Sequence, residues 1–126
     1  MSSIHFKAIP TFRILDYQLA LDFYLRDLGF EMDWEHRFGH DAPVYMQISK
    51  NNLTLHLSEN ERFTAGMIIF IDTTGIHAYR KELLRRNPSL GIHEIEKTAW
   101  NTLQMEIEDP FGNVLRFNQQ LTDTDQ

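Results

Sequence analysis

Asp16-Tyr-Gln-Leu-Ala-Leu-Asp-Phe-Tyr-Leu-Arg-Asp-Leu-Gly29 is the stretch on which the fold turns. Asp16 has the short acceptor side chain of an N-cap. Leu19, Ala20, Phe23, Tyr24 and Leu28 recur at three- and four-residue spacing, so the stretch reads as an amphipathic helix that Gly29 ends. Before it, residues 4–15 have no helical period and carry β-branched and aromatic side chains, which predicts a strand over 6–15. After it come three more strands, near 31–37, 44–49 and 53–58. In the last two, Val44, Met46 and Ile48, then Leu53, Leu55 and Leu57, alternate with polar neighbours, the period of a half-buried strand. Lys50-Asn51-Asn52 is a natural hairpin turn between them.

Beyond a polar loop at 60–65 the order starts again. A strand is expected over 67–72, and Ile76, Tyr79, Leu83 and Leu84 carry helical spacing through 76–86 until Pro88 stops it. Strands follow near 92–97, 102–108 and 114–118, with Asp109-Pro110-Phe111-Gly112-Asn113 as the last turn. Strand–helix–three strands thus occurs twice, over 4–60 and 65–119, in one expected domain spanning 1–126. This is an α+β pattern of two βαβββ modules. One helix covers one face of each sheet, so the other face has to curl around something, and a cupped sheet enclosing a cleft is the natural solution.

Composition narrows the function classes. The 126 residues are 42% hydrophobic and 24% charged, which is globular. No cysteine is present, which removes disulfide frameworks, thiolate zinc sites and cysteine nucleophiles. A formal net charge of -6 argues against nucleic acid as a partner and favours cationic ligands. No apolar run is long enough for a membrane span, and the N-terminus, with Lys7 and Arg13 inside its apolar stretch, lacks a signal-peptide core; a cytoplasmic location is expected. There is no G-x-S-x-G elbow and no Gly-rich phosphate loop.

Asp16 to Tyr24 followed by Leu28-Gly29-Phe30 resembles the first helix of the glyoxalase/bleomycin-resistance/dioxygenase superfamily, and Asp109 to Asn113 followed by Leu115-Arg116-Phe117 resembles its closing D-P-x-G-N hairpin. Trp34 to Gly39 and Tyr45 to Ile48 are similar to the bleomycin-resistance-like branch. The resemblance covers nearly the whole chain. It implies two βαβββ modules in a cupped mixed sheet, paired as a homodimer with the clefts at or near the interface. In the enzymes of that superfamily a divalent metal sits in the cleft on His, Gln or Glu from the first and last strands of each module.

Those ligand positions map onto Ile9, His56, Gly66 or Met67, and Arg116, so only His56 could coordinate. Arginine is always protonated and brings no lone pair, whereas zinc or iron catalysis needs about three protein ligands and an open position. The metal site therefore reads as lost, and no cofactor is expected.

Strand alternation indicates what the cleft holds instead. Thr11 and Arg13 point inward opposite Phe12 and Ile14; Tyr45, Gln47 and Ser49 oppose Val44, Met46 and Ile48; Thr54, His56 and Ser58 oppose the leucines of their strand. Gln104, Glu106 and Arg116 do the same in the second module, with Trp34, His36, Phe70 and Trp100 as expected neighbours. Plainer roles stand beside these. Trp34 and Trp100 could cap the barrel ends as core, His56 could serve hydrogen bonding alone, and Arg116 could bridge to Glu106 across adjacent strands. His36 and His40 have zinc-like spacing, but Phe38-Gly39 between them reads as loop.

A cleft of flat aromatic faces, amides and a few charges suits a large polar ligand held by stacking. The expected function is non-catalytic binding of a small molecule, resembling proteins that sequester bleomycin-class antibiotics, with ligand-binding residues Arg13, Trp34, His36, Tyr45, Gln47, His56, Phe70, Trp100, Glu106 and Arg116. The rival expectation is a metal-dependent lyase, isomerase or dioxygenase, which would need His56 together with His5 and Glu106 or Glu108.

Overall fold

The computed structural model describes residues 3–122. Its elements run β1 (Thr11–Arg13), α1 (Tyr17–Leu21), a π-helical turn (Asp22–Asp27), β2 (Glu31–Arg37), β3 (Val44–Lys50), β4 (Leu53–Ser58), β5 (Ile68–Asp72), α2 (Ile76–Arg86), β6 (Glu96–Lys97), β7 (Thr102–Glu108) and β8 (Val114–Gln120). They build two four-stranded mixed sheets, ordered β1-β4-β3-β2 and β5-β8-β7-β6. In each, the first strand lies parallel to the last of its half and the remaining pairs are antiparallel. This is the α+β, twice-repeated βαβββ fold that the sequence pattern and the family resemblance imply.

One face of each sheet packs with the helices into one continuous core. Phe12, Ile14, Val44, Met46, Ile48, Leu55 and Leu57 from the first sheet meet Met105, Ile107, Leu115 and Phe117 from the second, with Ala20, Tyr24, Leu28, Ile76 and Leu83 between them. Each of these strand residues alternates with a polar or aromatic neighbour on the opposite face, as period-2 reading requires.

Local chemistry sets the boundaries. Asp16 caps α1 by accepting from the Leu19 amide at 2.9 Å. The expected single α-helix to Gly29 becomes a π turn over its second half, with the Leu28 amide bonding the Phe23 carbonyl five residues back. Phe23, Tyr24 and Asp27 of this turn are buried. Gly29 then adopts φ +86°, a backbone conformation that favours glycine, with the end of the Arg86 side chain lying against it.

Two expected strands are shorter than their sequences suggest. Only Thr11–Arg13 of the 6–15 stretch pairs, with His56, Leu57 and Ser58 of β4; the preceding arm leaves the ladder, with Ile4 and Phe6 largely exposed. Of 92–97 only Glu96–Lys97 forms a ladder. Leu90, Ile92 and Ile95 pack partly buried against the core, so burial, not strand pairing, accounts for their apolar spacing.

The D-P-F-G-N turn joins the halves. Asp109, buried, accepts from the Phe111 and Asn113 amides at 2.9 and 2.8 Å, from Asn113 Nδ2 at 2.9 Å and from the Tyr24 hydroxyl at 2.6 Å. Asn113 donates onward to the Arg13 carbonyl at 2.9 Å and accepts from the Gly66 and Met67 amides at 3.0 and 3.1 Å. Among the described residues no helix is long and apolar enough to cross a membrane.

Candidate functional site

The outer face of the first sheet is organised in rows by strand register. Arg13, Ser58, Tyr45 and His36 lie in one row across β1, β4, β3 and β2; Thr11, His56, Gln47 and Trp34 lie in the next. Between Met32 and Trp34 the β2 register shifts, leaving Asp33 as an extra residue. A bulge of this kind turns two successive side chains toward one face, and both Asp33 and Trp34 reach the outer side.

A single chain of hydrogen bonds floors this face. The Thr11 hydroxyl lies 3.3 Å from the Tyr45 hydroxyl, which is 2.8 Å from His56 Nδ1; His56 Nε2 is 3.0 Å from Gln47 Oε1, and Gln47 Nε2 is 3.0 Å from Asp33 Oδ2. Ser49 donates to the other Asp33 oxygen at 2.9 Å. A carboxylate only accepts, so the Gln47 amide must present its NH2 to Asp33 and its oxygen to His56. His56 then carries its proton on Nε2 and accepts from Tyr45, and Thr11 donates to Tyr45. Every bond points toward Asp33. Burial lowers the His56 pKa below the ordinary imidazole value, which favours the neutral ring this order needs.

Aromatic side chains wall the floor. The Trp34 and Tyr45 rings are nearly parallel at 12° with centroids 6.0 Å apart, and Trp34 meets His56 edge-on at 5.3 Å. Phe63 lies 6.3 Å from Tyr45, and Phe38 stands edge-on to His36 at 4.4 Å. Trp34, His36, Phe38, Tyr45, Asn60, Arg62 and Phe63 enclose a hollow of about 410 Å³. Such a slot takes a flat ring system on its faces while the floor and Asn60 offer hydrogen bonds.

The structure therefore gathers Arg13, Trp34, His36, Tyr45, Gln47 and His56 on one face. Phe70, Glu106 and Arg116 gather instead on the outer face of the second sheet, where Phe70 and Arg116 are register neighbours and Arg116 Nε holds Glu106 at 2.9 Å. Trp100 joins neither group. It sits in the turn between β6 and β7, 66% exposed, so the role of a core cap does not apply to it. Asp33, Phe38 and Phe63 escaped sequence reading. Asp33 owes its direction to a bulge, which the period-2 pattern does not register, while Phe38 and Phe63 come from loops that have no period at all.

The metal-ligand positions implied by the superfamily do not fit a divalent ion. Both ring nitrogens of His56 are committed to Tyr45 and Gln47, and Arg116 brings a cation already paired with Glu106. The alternative ligand His5 lies on the exposed arm, 3.0 Å from the Ser3 hydroxyl. No three His, Asp or Glu side chains among the described residues converge to hold a metal.

The family model described as glyoxalase superfamily protein matches residues 1–124. A search of curated protein sequences returns no match. Among solved structures, a bleomycin-binding protein complexed with bleomycin is 18% identical at a TM-score of 0.73, over 93% of this chain and 100% of that one. A bleomycin resistance determinant encoded on transposon Tn5 is 21% identical at 0.71, over 94% and 100%. A bleomycin-binding protein from the bleomycin-producing Streptomyces verticillus, complexed with copper(II)-bleomycin, is 19% identical at 0.69, over 96% and 100%. At these identities the likeness speaks for the fold. With a family model spanning almost its full length, the chain belongs to the glyoxalase superfamily.

Proposed function

We propose that this chain is a non-catalytic binding protein that holds a planar, hydrogen-bonding small molecule of the bleomycin class and so sequesters it in the cytoplasm. The observation that carries the reading is the aromatic slot over a hydrogen-bonded floor on the first sheet, with His56 held in that floor by Tyr45 and Gln47. Tyr45, His56 and Gln47 bond one another in sequence, which fixes the rings for stacking. The fold shared with bleomycin-binding proteins supports the ligand class, and the net charge of -6 suits a cationic glycopeptide.

Isothermal titration with bleomycin is the test, and saturable heat with about one site per chain is the expected result. No heat at high micromolar ligand overturns the reading. Near-stoichiometric zinc, nickel, manganese or iron in protein purified without chelator would reverse it in favour of the metal-dependent enzymes.

We also propose a homodimer whose partner chain completes the cleft. The arm before β1 carries Ile4 and Phe6 at 80% and 94% exposure, and the edge strand β5 exposes Ile68 and Phe70. Apolar side chains along an unpaired strand edge invite pairing with a second chain. Light scattering at tens of micromolar should give twice the chain mass, and Phe6→Ser combined with Phe70→Ser should shift it toward monomer. A monomer that binds ligand with full affinity defeats this assembly.

A further inference from the structure

Arg13 differs from the other arginines of the described chain. Arg26, Arg37, Arg86 and Arg116 each hold a carboxylate, Arg62 lies over the Phe63 ring, and Arg80 donates to the His93 carbonyl. Arg85 is exposed in the last turn of α2, where a cation favours the helix end. The Arg13 guanidinium has no carboxylate, carbonyl or ring partner among the described residues. Its Nε is sealed from solvent with nothing to donate to.

An arginine has the length to carry its charge out to water, and a buried donor left unmatched costs free energy. Arg13 is nevertheless held half-buried on the face that bears the aromatic slot. Its row places Ser58 next to it, then Tyr45 and His36. Ser58 is 1% exposed and its oxygen accepts from the Asn60 amide at 3.1 Å, so its hydroxyl proton remains free to donate. Of the nearest carboxylates in sequence, Asp16 caps the Leu19 amide and Glu59, next to Ser58, is engaged by Arg37 and the Val44 amide. This end of the row thus holds a guanidinium whose Nη atoms, unlike its Nε, are not sealed, beside a buried hydroxyl and with no carboxylate to neutralise it. A planar fork of this kind recognises carboxylate, sulfonate or phosphate oxygens in pairs.

We propose that Arg13 seats an anionic group of the ligand, and that the ligand is a planar aromatic acid whose ring system occupies the slot between Trp34, Tyr45 and Phe63. Two strand spacings, roughly 10 Å, separate Arg13 from Tyr45 along the row, which sets the distance between acid and ring. The overall charge of -6 repels anions at long range, so this preference is a short-range one made at Arg13. The inference rests on the reading of this face as a stacking slot for a small molecule, and departs from the cationic glycopeptide in giving that molecule an anionic end.

The test titrates wild type, Arg13→Gln and Arg13→Met with three compounds: biphenyl-4-carboxylate, biphenyl-4-carboxamide and bleomycin. The acid and the amide have the same shape and differ in charge. Wild type should bind the acid at least ~10-fold more tightly than the amide, as expected of a charge-assisted bidentate pair, and both variants should bind the two alike. Circular dichroism and thermal melting should show both variants folded, since the substituted guanidinium makes no bond within the protein. Equal binding of acid and amide by wild type, or a preference that survives in the variants, overturns the anion seat. In that case heat from bleomycin keeps the small-molecule reading standing. If none of the three compounds gives heat with wild type, both readings fall. Acid binding without bleomycin binding upholds the anion seat and removes bleomycin as the ligand.

Discussion

His56 shows how one ring sets the character of the site. Its lowered pKa comes from burial, so the folded protein binds fewer protons at this position than the unfolded chain just below the ordinary imidazole pKa of about 6.5. Stability contributed by the neutral ring is therefore present above that pH and is lost as pH falls through the folded value. Between pH 7 and 5 the denaturation midpoint should drop in wild type, and His56→Gln should flatten that part of the profile; an unchanged slope would remove His56 from the pH response. The tryptophans separate by the same logic of surroundings. Trp34→Ala should weaken ligand binding by about 1–3 kcal/mol through lost stacking. Trp100→Ala, at an exposed turn, should change folding stability by less than about 0.5 kcal/mol and leave titration of the first-sheet slot unaltered. Alternation along β3 and β4 was enough to place Tyr45, Gln47 and His56 on one face from sequence. Asp33 was out of reach because its direction depends on a register shift against β3, which is a property of the pair of strands.

At the scale of elements, boundaries set by side-chain chemistry were legible and those set by partners were not. Asp16 announces the start of α1, and α2 spans the residues its spacing predicts. β1 and β6 are short because pairing depends on the path of the chain beside a neighbour, which neither sequence shows. The π turn at Asp22–Asp27 left no mark in the apolar period, because the same residues face inward either way. The D-P-F-G-N turn was recognised as a motif, and the structure supplies its physical reason: a buried carboxylate collects four donors, and the asparagine beside it bonds both halves. Asn113→Ala removes the acceptor of the Gly66 and Met67 amides and the donor to the Arg13 carbonyl, and leaves Asp109 Oδ2 with the Tyr24 hydroxyl alone. It should cost about 3–5 kcal/mol in chemical denaturation. Asp16→Ala, which loses one exposed cap, should cost only about 1 kcal/mol. Comparable losses for the two variants would mean the turn is not the junction described.

For the whole molecule, the sheets and helices share one core, and their outer faces carry different chemistry: aromatic slot and hydrogen-bonded chain on the first, an Arg116–Glu106 pair beside Phe70 on the second. A ligand or a partner chain reaching across both would meet the first by stacking and the second by charge. The Asn113 side chain has a further consequence, for the order in which the protein comes into being. Its amide closes a contact with Arg13 across 100 positions of chain, and that contact cannot form until the last turn has been synthesised. Contacts of such separation form late and slowly, because a long loop must be closed before they are made. Newly made first halves should then wait on the ribosome without their native ladder. A fragment ending at residue 62 should show weak amide protection in hydrogen exchange, and adding the separate fragment 63–126 should restore it. A first half that protects its own β3 and β4 amides when alone would make the two halves independent folding units.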